Sequence, residues 1–214
     1  MKEIKCILFD MDGVMIDTEP QYDILWRHLG NKYNVGIPNF EMVIKGTTLD
    51  NILAKYFSHL SEEEVGNLLK YHNEFEKNMS FDEIPGALNF LEEAKKHGIK
   101  AGLVTSSDEE KLEAVNRRQH FDILFDTIVS AGLITKSKPD PEGYLLAAEK
   151  LNAEPENCIV FEDSFAGIQA GKSAGMTVIG LYTTHSKEAI EEKTAIAIPN
   201  FMGLTLDKLK GLTK

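Results

Sequence analysis

The N-terminal stretch that sets the fold reads EIKCILFDMDGV, residues 3–14. The run Ile4–Phe9 is rich in strand-forming residues and lacks the alternation of polar and apolar residues seen in a half-exposed strand, which is typical of a strand buried on both faces. The run ends in Asp10 and Asp12, whose side chains would point the same way in an extended chain. The stretch therefore predicts a buried strand with two carboxylates at its end.

Later segments share this character and alternate with helical patterns. The strand-like segments are Lys100–Thr105, Thr127–Ser130, Cys158–Phe161 and Thr177–Leu181, with Ala195–Ile198 as a sixth candidate strand. Apolar residues recur at helical spacing in Gly86–His97, Glu109–Arg118, Glu142–Leu151 and Phe165–Ala174. Strands that alternate with helices in this way predict βαβ units and a parallel sheet.

The segment between residues 17 and 82 does not follow this alternation. It has no strand-like run, and its apolar residues recur at helical spacing around Trp26, Leu53 and Leu68. Ser61 and Glu64 form the pattern of a capping box at the start of the last of these helices. We expect an all-helical insert over residues 17–81, within an α/β domain formed by residues 1–16 and 82–214.

The overall charge limits the partners of the chain. It has 23 Lys and Arg residues against 34 Asp and Glu residues, a net charge of -11. Such an acidic chain without a basic block is a poor binder of nucleic acid or of anionic membranes. A small anionic substrate would need a local cation or a group of backbone amides to hold it. The longest apolar run, Tyr144–Ala148, is too short to span a membrane, so we expect no membrane partner.

The cysteines and the N-terminus favour a cytoplasmic protein. Cys6 and Cys158 both lie in apolar runs, which is typical of small buried hydrophobic residues rather than of a disulfide. No long apolar segment follows Met1–Lys5, so the start of the chain does not resemble a secretion signal. We therefore expect a cytoplasmic protein, and we expect it to be a monomer.

Two of the predicted strands end in acidic pairs. Asp10 and Asp12 follow the first strand, and Glu162 and Asp163 follow the strand Cys158–Phe161. Ligands of parallel α/β sheets bind beyond the carboxyl ends of the strands, so these acids would lie where a site belongs. A hard divalent cation such as Mg²⁺, which prefers oxygen ligands, would relieve their repulsion. The alternative is an ordinary turn after the first strand, since Asp and Gly are common turn residues.

Two other predicted strand ends carry groups that suit an anion. Thr105 and Ser106 offer hydroxyls and backbone amides ahead of a helix, an arrangement that can bind an anionic group. Lys138, next to a proline, could pair with a phosphate or a carboxylate. The alternatives are that Ser107 or Asp108 is a simple helix N-cap and that Lys138 is a surface charge. The combination at four strand ends favours a site for a phosphate over chance placement.

In this order and context the motifs resemble those of the haloacid dehalogenase superfamily of phosphotransferases. They are DMDGV at residues 10–14, Thr105 after an apolar strand, Lys138 with Pro139, and EDS at residues 162–164. The resemblance covers essentially the whole chain and is greatest to the branch that holds β-phosphoglucomutase and sugar-phosphate phosphatases. It implies an α/β fold, with a Rossmann-like doubly wound parallel sheet core and an inserted all-helical cap domain of the type called C1.

The resemblance also implies a role for each motif residue. Asp10 would be the nucleophile that forms an aspartyl-phosphate, and Asp12 would be the general acid and base. Thr105 would bond a phosphoryl oxygen with Ser106 beside it, and Lys138 would stabilise negative charge around Asp10 and the phosphate.

A Mg²⁺ ion would complete the site that the resemblance implies. Its ligands would be Asp10, the backbone carbonyl of Asp12, and Asp163, with Glu162 as a further ligand, direct or through water. Such a cation would explain how a chain with a net charge of -11 accepts a phosphate.

Two departures from the mutase pattern favour a phosphatase. Leu49 follows the stretch KGTT, residues 45–48, where β-phosphoglucomutase has an arginine for its second phosphate, and Tyr22 stands where it has a histidine that delays hydrolysis. We expect a phosphatase acting on a small phosphorylated metabolite, a sugar phosphate by class. A phosphosugar mutase is the alternative, whereas a catalytically silent binding protein would be expected to lack the motif acids. The substrate would lie near Thr18, Tyr22, Lys45 and Thr48.

Overall fold

The computed structural model describes residues 3–45 and 48–212, which form two compact units. One unit comprises Met1–Asp17 and Phe81–Lys214, and the other comprises Thr18–Ser80. Of the stretch at residues 45–48 discussed above, Gly46 and Thr47 lie outside the described residues.

The strands and helices alternate in the first unit, whereas the second unit is helical. The strands are β1 Cys6–Phe9, β2 Ile16–Asp17, β3 Asp82–Glu83, β4 Lys100–Val104, β5 Thr127–Val129, β6 Cys158–Glu162, β7 Thr177–Leu181 and β8 Ala197–Ile198. The helices are α1 Glu19–Lys32, α2 Phe40–Val43, α3 Leu49–Tyr56, α4 Glu62–Asn78, α5 Ala87–Lys96, α6 Glu109–Gln119, α7 Phe121–Leu124, α8 Glu142–Lys150, α9 Phe165–Ser173, α10 Lys187–Glu191 and α11 Leu206–Leu212. None of the helices in the described part of the chain combines the length and the apolar character that crossing a bilayer demands.

The main sheet is doubly wound about its first strand. Its six strands lie in the order β5-β4-β1-β6-β7-β8, and each neighbouring pair is parallel. The chain runs outward from β1 to β5 on one side and then returns to build β6 to β8 on the other. The strand order therefore reverses between β1 and β6, and ligands of such sheets bind beyond the carboxyl ends at that point. The α/β fold class and the parallel sheet expected from the sequence are confirmed.

Both faces of the two central strands are buried. On one face Phe9 stacks on Phe161, with ring centroids 5.4 Å apart, and Phe90 of α5 packs edge-on against Phe161. On the other face the two free cysteines, Cys6 and Cys158, are buried among apolar side chains, as the sequence predicted. These packed strands give the residues that follow Phe9 and Phe161 a fixed base.

The helical unit has an aromatic core of its own. The ring of Trp26 lies 6.3 Å from that of Phe57 and 6.4 Å from that of Phe40. The predicted capping box at the start of α4 is confirmed, because Ser61 Oγ accepts from the Glu64 amide at 3.3 Å and the Ser61 amide donates to Glu64 Oε2 at 2.9 Å. Such reciprocal capping satisfies two amides that the helix itself leaves unpaired.

A small two-stranded sheet at the ends of the insert was not expected. Strands β2 and β3 pair antiparallel, with Ile16 opposite Glu83 and Asp17 opposite Asp82. The sequence predicted no strand between residues 17 and 82, and this was wrong for Asp17 and Asp82. Two residues are too few to show a period, and Asp and Glu are poor strand formers, so the pairing follows from where the two chain segments meet. Helix α2 was also not predicted, because it is too short to show a helical period.

Candidate active site

Three buried carboxylates meet at the carboxyl ends of β1 and β6. Asp10, Glu162 and Asp163 each place one oxygen within 4.8 Å of the others. Burial raises the pKa of Asp10 to about 7; Lys138 opposes this shift, and the charges of Glu162 and Asp12 add to it. A buried cluster of oxygen donors with excess negative charge is the environment that a hard divalent cation prefers. These residues therefore fit such an ion.

Two glycines make room for the acids. Gly13 has a φ of +73°, and a Cβ atom there would lie 1.9 Å from Asp163 Oδ2. At Gly167 a Cβ atom would lie 1.6 Å from Glu162 Oε1. No non-bonded atoms approach so closely, so each carboxylate occupies the space that the side chain of any residue other than glycine would need at position 13 or 167. The glycines following the two acidic motifs are therefore part of the site.

The carboxylate of Glu162 is held by five donors. Its Oε2 accepts from the amide of Asp163 at 3.0 Å and from the amide and hydroxyl of Ser164 at 3.1 and 3.0 Å. Its Oε1 accepts from Lys138 Nζ at 2.6 Å and from the hydroxyl of Tyr144 at 2.8 Å. A carboxylate offers about four lone-pair positions, so protein donors already fill this one. The expected binding of a metal by Glu162 stays a prediction, and it would require one of these donors to leave.

Lys138 lies between the expected nucleophile and Glu162. Its Nζ donates to Asp10 Oδ1, to Glu162 Oε1 at 2.6 Å and to the carbonyl of Val104 at 3.3 Å. The same nitrogen lies 5.2 Å from the ring centroid of Tyr144, within range of a cation–π contact. Burial acts to lower the pKa of Lys138, but Asp10 and Glu162 outweigh it and raise the pKa above its ordinary value. The ammonium group is therefore retained next to Asp10.

A carboxylate at the start of α8 organises the loop that carries Lys138. Glu142 accepts from the amides of Thr135 and Lys136, each at 2.8 Å, and from the Thr135 hydroxyl at 2.9 Å. These contacts hold the pKa of Glu142 below its ordinary value, the amide of Thr135 having the largest effect. Glu142 therefore fixes the backbone of this loop a few residues before Lys138.

The segment after β4 has the hydroxyls and the cap that the sequence suggested. The hydroxyl of Thr105 is buried and accepts from the amide of Ser107 at 3.0 Å, while Ser106 is exposed. Asp108 is the N-cap of α6, because its carboxylate accepts from the Lys111 amide at 2.9 Å. The open choice of N-cap between Ser107 and Asp108 is therefore resolved in favour of Asp108.

Asp12 directs its carboxylate to the same segment. Oδ1 lies 2.7 Å from Lys111 Nζ, and Oδ2 accepts from Ser107 Oγ at 3.1 Å. Among the described residues, the acid cluster does not include this side chain. β1 ends at Phe9, so both aspartates follow the strand, and the charge of Asp12 is close enough to contribute to the raised pKa of Asp10. Binding of a metal by the Asp12 carbonyl stays a prediction.

Two of the substrate candidates in the helical unit hold acidic partners. Lys45 Nζ lies 2.7 Å from Glu19 Oε2 and 3.0 Å from Asp23 Oδ1. Burial acts to lower the pKa of Lys45, but its bonds to these two acids raise it. The hydroxyl of Tyr22 donates to Glu76 Oε1 at 2.5 Å. Both side chains are therefore already bonded within the unit.

The other two candidates are threonines at the starts of helices. Thr18 is fully buried at the N-cap position of α1 and makes no side-chain cap there. Thr48 is exposed and caps α3, since its hydroxyl accepts from the Asn51 amide at 3.4 Å. Their contact with a substrate stays a prediction.

Comparison with known proteins decides the family. A family model described as haloacid dehalogenase-like hydrolase matches residues 7–181 of the chain. The chain belongs to this family. This confirms the resemblance found in the sequence motifs.

Relatives with known names include sugar-phosphate phosphatases. The chain is 32% identical over 216 residues to the phosphorylated carbohydrates phosphatase of Thermotoga maritima. The aligned region covers 91% of this chain and 94% of the relative. The chain is 31% identical over 201 residues to the validoxylamine A 7'-phosphate phosphatase of Streptomyces hygroscopicus subsp. limoneus, with 88% and 90% covered. The crystal structure of β-phosphoglucomutase from Clostridium difficile is similar with a TM-score of 0.78 and 30% identity, over 98% of this chain and 96% of that one.

The expected enzyme class is confirmed by the family and by these relatives. The chain is a hydrolase of phosphoric monoesters. Members of the family generally use a divalent metal ion, and the buried cluster of Asp10, Glu162 and Asp163 suits one.

Several residues of the hydrolase's site were missed in the sequence. Thr184 Oγ1 donates to Asp163 Oδ2, and Thr183 Oγ1 donates to the carbonyl of Gly13 at 2.6 Å. They follow β7, so the signal used for Thr105, a hydroxyl after a strand's carboxyl end, could have found them. The other missed residues are Lys111 and Tyr144, whose partners lie far away in sequence. Ser107 was a candidate in the segment after β4, but its contact with Asp12 was not predicted.

Proposed function

We propose that the protein is a Mg²⁺-dependent phosphatase that hydrolyses a small sugar phosphate through a phosphoryl group carried on Asp10. The observation that carries this proposal is the contact of Lys138 with Asp10 beside the buried acid cluster. A carboxylate that has a fixed cation against it is suited to receive a phosphoryl group, because positioning and charge neutralisation are the main catalytic means for this chemistry.

The first step transfers the phosphoryl group to Asp10. An oxygen of Asp10 attacks phosphorus, the bond from phosphorus to the substrate oxygen breaks, and Asp12 gives that oxygen a proton. Lys138 stabilises the negative charge on the transferred group, and Thr105 and Ser106 bond its oxygens. Mg²⁺ would supply further neutralising charge if it were held by Asp10, Asp163 and the carbonyl of Asp12. Glu162 would be a further ligand, through water or, if one of its present donors leaves, directly.

The second step regenerates the enzyme. A water molecule gives its proton to Asp12 and attacks phosphorus, and the bond to Asp10 breaks to release inorganic phosphate. Asp12 thus acts as acid in the first step and as base in the second. The contacts of its carboxylate with Lys111 and Ser107 support this role, since they lie apart from the acid cluster.

The helical domain, residues 17–81, is proposed to select the substrate, and residues 1–16 and 82–214 to perform the chemistry. A mutase needs a cation for the second phosphate of a bisphosphate. Lys45 is held by the carboxylates of Glu19 and Asp23, and Leu49 carries no charge, so an anion there would have to displace two acids. This favours a phosphatase over a mutase. The names of the two phosphatase relatives support a sugar phosphate as the substrate class.

The net charge of -11 favours a small phosphorylated metabolite over a nucleic-acid or membrane partner. The enzyme is also proposed to act in the cytoplasm and as a monomer.

A substrate panel tests the proposal. Sugar monophosphates, including β-glucose 1-phosphate with a trace of its bisphosphate, are incubated with enzyme and Mg²⁺, and free phosphate and glucose 6-phosphate are followed together. We expect phosphate release from at least one monophosphate. The Asp10→Asn variant should lose this activity, whereas Asp207→Asn, which changes an exposed aspartate of α11, should keep it. Faster accumulation of glucose 6-phosphate than of phosphate would favour the mutase, and full activity of Asp10→Asn would refute the mechanism.

A further inference from the structure

Lys111 is a buried lysine in an unfavourable place. Only 6% of its side chain is exposed. It is the third residue of α6, the helix that begins after the N-cap Asp108. Burying an ammonium group is unfavourable unless it is paired. The N-terminal turn of a helix also carries positive partial charge, which disfavours a cation. A lysine held here requires a strong anionic partner.

That partner is the carboxylate of Asp12. Lys111 Nζ lies 2.7 Å from Oδ1, and Ser107 Oγ donates to Oδ2 at 3.1 Å. Both oxygens of Asp12 are thus bonded to one short segment, the turn from β4 into α6. Two separate contacts fix the orientation of a carboxylate as well as its position.

The two aspartates of the motif therefore pair with different lysines. Lys138 contacts Asp10 and Glu162 at the acid cluster, whereas Lys111 contacts Asp12. If Asp10 carries the phosphoryl group and Asp12 moves the proton, the two cations support different parts of the reaction. This separation makes the contribution of Lys111 measurable by itself.

We propose that Lys111, together with Ser107, is a positioning residue that holds Asp12 where it exchanges a proton with the leaving oxygen and with water. The inference rests on the proposed function, in which Asp12 is the general acid and base. A general acid or base has to lie within hydrogen-bond distance of the atom with which it exchanges a proton. If it is displaced, the rate falls most for substrates whose leaving oxygen is most basic, because these need the proton most.

The leaving group of the substrate tests this role. Phenyl phosphate and 4-nitrophenyl phosphate have leaving groups of similar shape, but phenolate is much the stronger base and needs the proton more. In Lys111→Met we expect kcat/KM to fall at least about 10-fold more for phenyl phosphate than for 4-nitrophenyl phosphate. Hydrolysis of the phosphorylated enzyme should also slow, so 4-nitrophenolate should appear in a burst of about one equivalent per enzyme.

Three further variants complete the experiment. Lys111→Arg keeps a cation beside Asp12 and should recover part of the activity lost on phenyl phosphate, which brings the ratio of kcat/KM for the two esters back toward that of the wild type. Ser107→Ala removes the second contact without leaving a buried charge, and should shift the ratio in the same direction by a smaller factor. Lys95→Met is the matched control, because Lys95 bonds the Leu124 carbonyl at 2.5 Å and pairs with Asp126 in the same unit. The control should leave the ratio unchanged.

The outcomes separate this inference from the proposed function. An unchanged ratio in both Lys111→Met and Ser107→Ala, with the wild type active, would overturn the role of Lys111 alone. If Lys111→Met does not fold, Ser107→Ala decides the question by the same ratio. A wild-type enzyme that hydrolyses neither ester with Mg²⁺ would overturn the proposed function, and this inference with it.

Discussion

Replacement of Gly167 by alanine should damage both stability and activity, because the new methyl group would meet the Glu162 carboxylate. The added Cβ would lie 1.6 Å from Oε1, whereas ordinary contact begins at 3.4 Å, so the carboxylate would have to move by about 1.8 Å. That movement breaks its contacts with Lys138 and Tyr144, at 2.6 and 2.8 Å. The disturbed ion pair is buried, so it cannot be replaced by water without loss.

The magnitude follows from the parts of this change. Breaking a buried ion pair costs about 3–5 kcal/mol. Alanine is a better helix former than glycine, which returns about 1 kcal/mol. We therefore expect Gly167→Ala to lower the free energy of unfolding by about 2–4 kcal/mol and to reduce turnover as Lys138 loses its anchor. A urea titration followed by circular dichroism, and phosphate release with Mg²⁺, measure the two effects.

A second glycine gives the control. Gly66 lies inside helix α4, and a Cβ atom there would meet nothing within 4 Å. Gly66→Ala should therefore raise the free energy of unfolding by about 0.5–1 kcal/mol and leave turnover unchanged. If Gly167→Ala were as stable and as active as Gly66→Ala, the position of Glu162 described above would be wrong.

Three other perturbations test the charges of the site. Lys138→Met leaves two buried carboxylates without their cation, so it should lower the free energy of unfolding by about 3–5 kcal/mol and remove most of the turnover. Lys136→Met, at a lysine 69% exposed in the same loop, is the control and should change little in a urea titration or a phosphate assay. Chelation should abolish phosphate release and Mg²⁺ restore it, with Ca²⁺ a poor substitute because its coordination shell is larger and looser; full activity in excess chelator would contradict the metal requirement. Because burial raises the pKa of Asp10 from 3.8 to about 7, the metal-free folded protein binds more protons than the unfolded chain between these values, so this contribution to stability is present below pH 4 and lost as the pH rises through 7. Urea midpoints measured in chelator from pH 4 to pH 8 should show a decline that is absent in Asp10→Asn, and an equal decline in both proteins would exclude Asp10 as its source.

Much of the architecture could be predicted because it depends on local patterns. The unbroken apolar run before Asp10 indicated a strand buried on both faces, and every residue of Cys6–Phe9 is buried. The capping box of Ser61 and Glu64 marked the start of α4, since the atoms involved are three residues apart. The motif acids and Lys138 were found because each follows a strand in a recognisable order. Local periodicity and capping are properties of neighbouring residues, so a sequence displays them directly.

The sequence by itself determined the strands of the main sheet, the longer helices and the acids, hydroxyls and lysine of the motifs, whereas only the tertiary structure decided most of the pairings between these side chains. Lys111 and Asp12 are 99 residues apart, and Lys138 and Asp10 are 128 apart. The motif resemblance placed Lys138 near Asp10, but nothing in the sequence assigns Lys111 to Asp12 or explains why position 167 has to be glycine. Those facts depend on the order of strands in the sheet, which brings the ends of β1, β4 and β6 together. Contacts between distant residues are set by the packing of whole elements, and that packing is a property of the folded chain.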